Sequence, residues 1–595
     1  MPYIMPQGVK IIANNPCYHS DIALTDMIST QMNRSEIKKT LKALAENIAS
    51  ISDERVASVQ KTLFNLVEVL VDANAQRDKI IQELKDEINR LKGEQGKPKF
   101  DKKKPEKLEP VDSNHSSEDD RNKRKKKKKR KKKIKKTEEI KVDRRVIIEI
   151  NKDDLPFDAQ YKGMEKRILQ DLKIITDNVE FSLPVYYSPS LKKTFIATLP
   201  EGYVGEFGPG IRALIISLYR DSKMTEPAIA RFLKTFGVSI ANSTISRMLT
   251  EGHDVFHQEK EDIIDAGLQS TTYQHIDDTT SKVAGKSYYT HILCNPYYTA
   301  FFTLPGKDRL TLLSMLCREE LRFTINKTAY KLMTELGMSE KRLKELQSLL
   351  PNDVILTRDE IDAVLQTMFP KSHKNGTSRK HILEATAIVY YQGTALAIKQ
   401  LVADDAPQFN LISEHKSACW VHDGRHYNKL NPIIPAHRVI LDAFIKTYWD
   451  YYQKLLDYTQ TSQHTDAMAL NLSLEFAELF SSRTGYDELD ARIAKTLAKK
   501  ESLLLVLLFP FLPLHNNPAE LGARVQARIR DINLQTVSIN GTKSKDTFAT
   551  IFETARKLGV NAFHYVYDRV SKQCKMQSLA DMIHIQPRNP ILNTT

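Results

Sequence analysis

Three acids stand where each could deliver a carboxylate to a common point: Asp277, Asp404 and Glu520. Asp277 belongs to TYQHIDD (272–278), a run that reads as a strand ending in acid. Asp277 or Asp278 could serve, because a strand turns successive side chains to opposite faces. Asp404 sits at the end of a second β-capable run, AIKQLVADD (397–405). Glu520 closes HNNPAE (515–520), whose residue types place Asn517 as N-cap, Pro518 at N1 and Glu520 at N3 of a helix. Each acid has an ordinary structural explanation: an Asp pair after a strand is a solvated turn, and Glu at N3 completes a capping box. Taken together, they are the all-oxygen donor set that magnesium favours. Two such ions about 3.5–4 Å apart can activate an attacking oxygen and stabilise the leaving one during in-line phosphoryl displacement. Water or a 3′-hydroxyl is then the nucleophile, so no Ser, Cys or Lys nucleophile is required.

These acids need a scaffold. Two further strand-like runs, 287–294 and 298–304, follow the first acid and are split by Asn295-Pro296. An acid on the first strand of such a meander is where an RNase H-like fold places its first metal ligand. Asp404 follows Asp277 by 127 residues and Glu520 follows Asp404 by a further 116, which implies helical insertions, expected near 310–385 and 430–500. Upstream, 211–219 reads as one helix, and Thr225, Glu226 and Pro227 start a second with Ala228, Ile229, Phe232 and Leu233 as its apolar stripe. Gly237 supplies a left-handed stop, and a third helix runs over 243–250. This is a helix-turn-helix pattern, with Asn242, Ser243, Thr244 and Arg247 expected to face outward toward phosphates and base edges.

The chain of 595 residues, 41% hydrophobic and 27% charged, has the composition of several globular domains. Its five cysteines are scattered, so neither a zinc ribbon nor a disulfide framework is indicated, and a reducing compartment fits. No signal peptide is expected, and the longest apolar run, 503–514, is too short to span a bilayer. It reads as a buried strand or helix end. The net charge of +14 comes from one segment: residues 121–136, which include Lys125, Lys126, Lys127, Lys128, Lys129 and Arg130, carry fourteen basic residues. The rest of the chain is balanced. That tract would meet nucleic-acid phosphates without sequence preference. Val67, Leu70, Ile81, Leu84, Ile88 and Leu91 follow heptad steps, with Asn74 and Arg77 in the seam between them. They predict a short coiled coil that makes a homodimer or higher oligomer.

Several segments resemble the IS66-type insertion-sequence transposases. HIDDTTSKV (275–283), LVADDAPQF (401–409), ACWVHDGRHY (418–427) and HNNPAELGAR (515–524) are similar to four segments of that family, and FETARKLGVNAFHYVYDRV (552–570) is similar to its closing helices. LPEGYVGEFGPGIRALI (199–215) and GVSIANSTISRML (237–249) resemble its pre-catalytic helical region. The resemblance implies a DDE triad of Asp277, Asp404 and Glu520, Mg²⁺ or Mn²⁺ with two ions, and Arg524 as a DNA-facing arginine. It also implies DNA strand cutting and joining at element ends, with accessory proteins from the same element as partners. The implied location is a bacterial cytoplasm at the nucleoid, and no membrane is involved.

Departures are visible: the family's cysteine-rich segment is missing, Asp405-Ala406 replaces Gly-Tyr, and Leu521 stands where an arginine is expected. The competing reading is a catalytically inactive or domesticated DNA-binding relative. The expected fold class is multidomain α/β. It comprises an N-terminal helical segment (1–55), a coiled coil (56–92), a disordered Lys-rich linker (93–144) and a small strand-containing region (145–207). A helix-turn-helix (208–255), an RNase H-like α/β catalytic domain (265–540) and a C-terminal helical segment (541–595) follow.

Overall fold

The structure is a computed structural model. It describes nearly all of residues 167–587, together with scattered positions between 59 and 164; residues 204 and 371–375 lie outside the described set, as does the basic tract Lys125–Arg130. The chain divides into two compact units. One comprises Met1–Ser113, Asp423–Lys454 and Thr465–Lys500; the other comprises Asn114–His422, Leu455–His464 and Glu501–Thr595.

The second unit begins with an exposed antiparallel hairpin, β1 (Val185–Ser188) and β2 (Lys193–Ile196). In the small region expected to contain strands, 145–207, the described residues 145–148 form none. Helices α1 (Pro209–Arg220), α2 (Glu226–Thr235) and α3 (Asn242–Thr250) follow and pack on one another. Ile215, Ile216, Ile229, Leu233, Ile245 and Leu249 bury the seams between them. Gly237 takes the left-handed backbone (φ +83°) that ends α2. Helix α4 (Asp254–Ser270) leads into the main sheet.

That sheet has β3 (Tyr273–Val283), β4 (Lys286–Cys294) and β5 (Thr299–Leu304) as an antiparallel meander. An insertion follows: α5 (Arg309–Leu316), β6 (Phe323–Ile325), α6 (Lys327–Glu335), α7 (Glu340–Leu349), β7 (Val354–Leu356), α8 (Arg358–Met368) and α9 (Gly376–Gln392). It is helical as expected, apart from the short antiparallel pair β6–β7. Strands β8 (Gln400–Ala403) and β9 (His415–Ala418) then add in parallel on the other side of β3, giving the order β5-β4-β3-β8-β9.

Helix α10 (Trp420–Asn428) precedes the helical stretch α11 (Pro435–Gln460), α12 (Asp466–Ser481) and α13 (Asp487–Leu497). The apolar run after it is neither strand nor long helix. It forms one short helical turn, α14 (Lys500–Leu503), a 3₁₀ turn at Leu505–Leu507 and a loop that is buried at Leu512–Leu514, because Pro510 and Pro513 cannot supply ladder N–H groups. Helices α15 (Asn517–Asn533), α16 (Ile539–Lys557), α17 (Ala562–Val570) and α18 (Leu579–His584) complete the chain.

Helix α15 packs on β3 and β4, and α16 packs on β5. The latter closes the free sheet edge. The outward amides of Thr303, Phe301 and Thr299 donate to side-chain oxygens of Asp546, Thr550 and Thr554, a row spaced four residues apart along α16. An edge strand that would otherwise invite another chain is thereby satisfied.

In the first unit, the described residues between 59 and 84 are helical. Asn65 is buried, and its Oδ1 accepts from the Asp487 amide at 3.5 Å. Of the predicted heptad seam, Val67 is half-buried, Leu70, Ile81 and Leu84 are about half exposed, and Asn74 and Arg77 are exposed; Ile88 and Leu91 lie outside the described residues. Among the described residues no helix is long and apolar enough to cross a membrane.

Candidate active site

Strand register brings the first two acids level. In the parallel pair β3–β8, His275 stands opposite Val402, and two residues further along each chain come Asp277 and Asp404. Side chains two apart share a face, so both acids leave the sheet on the side of His275 and Val402. Strand β3 does not end in acid as expected; it continues through Asp277 and Asp278 to Val283, held by β4, while β8 stops one residue short of Asp404. The Asp404 carboxylate accepts from the Ala406 amide at 3.0 Å, an Asx turn that bends the chain away.

Glu520 arrives from α15. The residue opposite Asp277 on β4 is Ile292, and Gly522 lies over it: a Cβ at position 522 would sit 2.8 Å from Ile292 Cγ2. Only glycine lets the helix come this close, and it does so two residues after Glu520. The start of α15 differs from expectation by one position. Asn517 is the first helical residue, Asn516 is the cap, and no side-chain cap hydrogen bond forms. The N-cap half of the capping box considered for Glu520 is therefore absent. Asn516 acts as a clip instead. Its Nδ2 donates to the Ile276 carbonyl at 2.8 Å, its Oδ1 is 3.0 Å from His275 Nδ1, and its backbone N–H points at Cys419 Sγ at 3.3 Å. Trp420, fully buried, donates its amide to Leu514 O and its indole N–H to Leu503 O. The Cys-Trp pair thus anchors the segment that carries Glu520.

The electrostatics follow from this crowding. The Asp277 carboxyl is pushed up to about 7, first by burial and then by the charges of Asp404, Glu520 and Asp278, against the opposing hydrogen bond from the Asp278 amide. His275 is pushed down to about 3 by burial and stays neutral. Asp278 leaves the opposite face, beside its β4 partner His291, and accepts from Gln408 Nε2 at 2.8 Å. The alternation thus separates the two acids and sets Asp277 with Asp404. Among the described residues, no three His, Cys, Asp or Glu side chains are arranged to hold a metal ion. As a donor set, an Asp277 carboxyl whose proton affinity is raised by the neighbouring carboxylates Asp404 and Glu520 suits a hard divalent cation.

The other expected contacts are placed as follows. Asn242, Ser243 and Arg247 are exposed on α3, whereas Thr244 is half-buried and accepts from Arg247 Nη2 at 3.4 Å. Arg524 is exposed one turn beyond Glu520, and Leu521 beside Glu520 is 39% exposed. Sequence reasoning missed Asn516, Gly522 and Arg530; the last donates to the Thr280 carbonyl and hydroxyl at 2.8 and 2.6 Å and ties the end of α15 to β3. Only Gly522 carried a signal, a glycine inside an otherwise helical run.

No family model matches the chain. It is 28% identical over 319 residues to the uncharacterized protein y4jO of Sinorhizobium fredii, an alignment that covers 52% of this chain and 94% of that protein.

Proposed function

We propose that the chain is a metal-dependent polynucleotidyl transferase with an RNase H-like core, a transposase that cuts and joins DNA at the ends of an insertion sequence of the IS66 type. The observation that carries this reading is the alignment of Asp277 on β3 with Asp404 one residue beyond the parallel strand β8, with Glu520 delivered beside them by α15. A strand-borne acid, an acid just past a neighbouring parallel strand and an acid on a helix crossing that face are the placement expected of a DDE triad. Asp277, Asp404 and Glu520 would hold Mg²⁺ or Mn²⁺, which supplies activation of the attacking oxygen and stabilisation of the leaving one. The chain's own part is positional. The Asn516 clip and Gly522 hold Glu520 over β3, and the Asx turn at Asp404 keeps its carboxylate at the sheet end.

Helices α1–α3 support DNA recognition, with Asn242, Ser243 and Arg247 facing outward. The half-exposed seam residues Leu70, Ile81 and Leu84 support self-association through the N-terminal helix. The proposed setting is a bacterial cytoplasm, at the nucleoid.

Glu520→Gln is the test. Gln keeps the size of Glu and loses the charge a hard cation needs. Strand cleavage with cognate ends in Mg²⁺ should fall by at least about a thousandfold, roughly 4 kcal/mol in the barrier, while melting temperature and DNA binding stay unchanged. Cleavage at the wild-type rate would remove Glu520 from the site. Wild-type protein that binds DNA but never cleaves it would identify an inactive, DNA-binding relative.

A further inference from the structure

Along the contacts that α16 makes with α1 and α4, three buried cations share one buried carboxylate. Arg220 ends α1, Lys260 sits within α4 and Lys545 lies in α16, and each is only 7–8% exposed. The carboxylate they share is Asp546, whose oxygens are already occupied by the Thr303 amide at 2.6 Å and hydroxyl at 2.9 Å. Among the described residues no basic nitrogen pairs with Asp546 as a salt bridge. Arg220 Nε and Nη1 are buried with no hydrogen-bond partner, and the same holds for the hydroxyls of Ser217, three residues earlier on α1, and Ser544, beside Lys545. The Lys260 ammonium rests 4.6 Å above the centroid of Phe302, on the same strand as Thr303.

Burial lowers the proton affinity of all three cations, and the charge of Asp546 opposes this for each of them, as does that of Glu261 for Lys260. Lys543, exposed, adds its charge to Lys260, and Arg530 adds its charge to Lys545.

Buried cations are costly unless paired. A metal ion would be repelled here, and a neutral ligand would not offset the charge. A guanidinium fork, two ammonium groups and two hydroxyl donors suit a tetrahedral oxyanion. We propose that Arg220, Lys260 and Lys545, with the Ser217 and Ser544 hydroxyls, bind a phosphate group, and that the phosphate is a diester of the bound DNA strand. The assignment to DNA rests on the function proposed above; the anion site does not. Its location fits a strand running from the helix-turn-helix, which α1 opens, to the sheet edge that α16 covers.

The experiment uses the full chain and two readouts. Melting curves are taken in chloride and in inorganic phosphate at matched ionic strength, for wild type, Lys545→Met and Lys260→Met. Binding of a labelled DNA duplex is followed across salt concentration. Wild type should gain about 2–4 °C in phosphate. Each Met variant should melt higher than wild type in chloride, because an unpaired buried charge is gone, and should lose the phosphate response. Duplex affinity should drop roughly three- to tenfold, with the log–log salt slope shallower by about 1. No phosphate response in wild type, with both variants melting lower in chloride, would overturn the site and make these cations structural. A phosphate response with an unchanged DNA slope would overturn the diester assignment in favour of free phosphate. Glu520→Gln should retain the phosphate response, so loss of the catalytic reading and loss of this site are separable.

Discussion

Asp423 and Asp277 are both acids set among buried residues, and their neighbours differ in sign. Asp423, 3% exposed, is met by Arg492 and Lys499 and accepts from Thr496 Oγ1 at 2.7 Å and Tyr448 OH at 3.4 Å. Its own chain neutralises it and fills its lone pairs. Asp277 is surrounded by Asp404, Glu520 and Asp278, and its one hydrogen bond among those described comes from the next residue's amide. A buried carboxylate that the fold has already paired is part of the fold. A carboxylate that the fold presses against others is a place where an outside cation lowers the free energy.

The sharpest way to separate the two is to remove each acid. Asp423→Ala should cost about 3–5 kcal/mol, because it leaves two cations facing each other at a buried position. Urea unfolding followed by a probe in the 423–500 region is the measurement. A loss below about 1 kcal/mol would mean that the pairing is decorative.

His253 extends the comparison to a base among its own sign. It is 3% exposed, its Nε2 lies 3.0 Å from the Met248 carbonyl, and its pKa is pushed down to about 4, first by burial and also by His257, Arg212 and Arg220. The folded protein keeps it neutral, whereas the unfolded chain takes up a proton near pH 6.5. Stability from this site is therefore complete above about pH 6.5 and is lost as pH falls toward 4, by about 3 kcal/mol in all. Unfolding free energies between pH 7 and 4.5 should show this slope, and His253→Gln should flatten it. Equal slopes would show that other groups cause the acid loss.

The effect expected next in size concerns how Glu520 reaches the site. Gly522→Ala puts a Cβ 2.8 Å from Ile292 Cγ2, so either Ile292 or the helix must move. Overpacking of this kind costs about 1–3 kcal/mol. Cleavage should fall more than stability does, because the shift falls beside Glu520. Unchanged cleavage would detach the helix approach from the chemistry.

How much of this was legible in the sequence depended on whether the cause was local. The helices around Gly237 and the strands β4 and β5 are local patterns, and they appear within a residue or two of expectation. What escaped were consequences of contacts outside each segment's own residues. The sequence reads Asn517 as the cap and gives Asn516 no role, which appears only when its side chain is seen between His275 and Ile276. β3 reads as ending at its acids because polar residues 277–282 look like a loop, and it is the cross-strand pairing with β4 that keeps them extended. The Asp423 cluster was invisible for the same reason, since Arg492 and Lys499 lie about seventy residues away.

The smallest expected effect carries the opposite sign from the first. Asp277→Asn removes an acid whose ionisation the fold opposes. With a folded pKa of about 7 against an ordinary 3.8, wild type bears no penalty below about pH 3.8. The penalty grows as pH rises and is complete above about 7. Its full linkage value is roughly 4 kcal/mol, and solvent screening at a half-buried site brings the expected gain down to about 1–2 kcal/mol. The Asn variant should therefore be more stable than wild type at pH 8 and equal to it at pH 4. Magnesium should narrow the difference at pH 8, because a cation among Asp277, Asp404 and Glu520 supplies wild type with the neutralisation that Asn supplies by substitution. Paired melting curves at the two pH values, with and without Mg²⁺, test each part. An Asn variant less stable than wild type at pH 8 would mean that the Asp277 carboxylate is held by the fold after all, as Asp423 is.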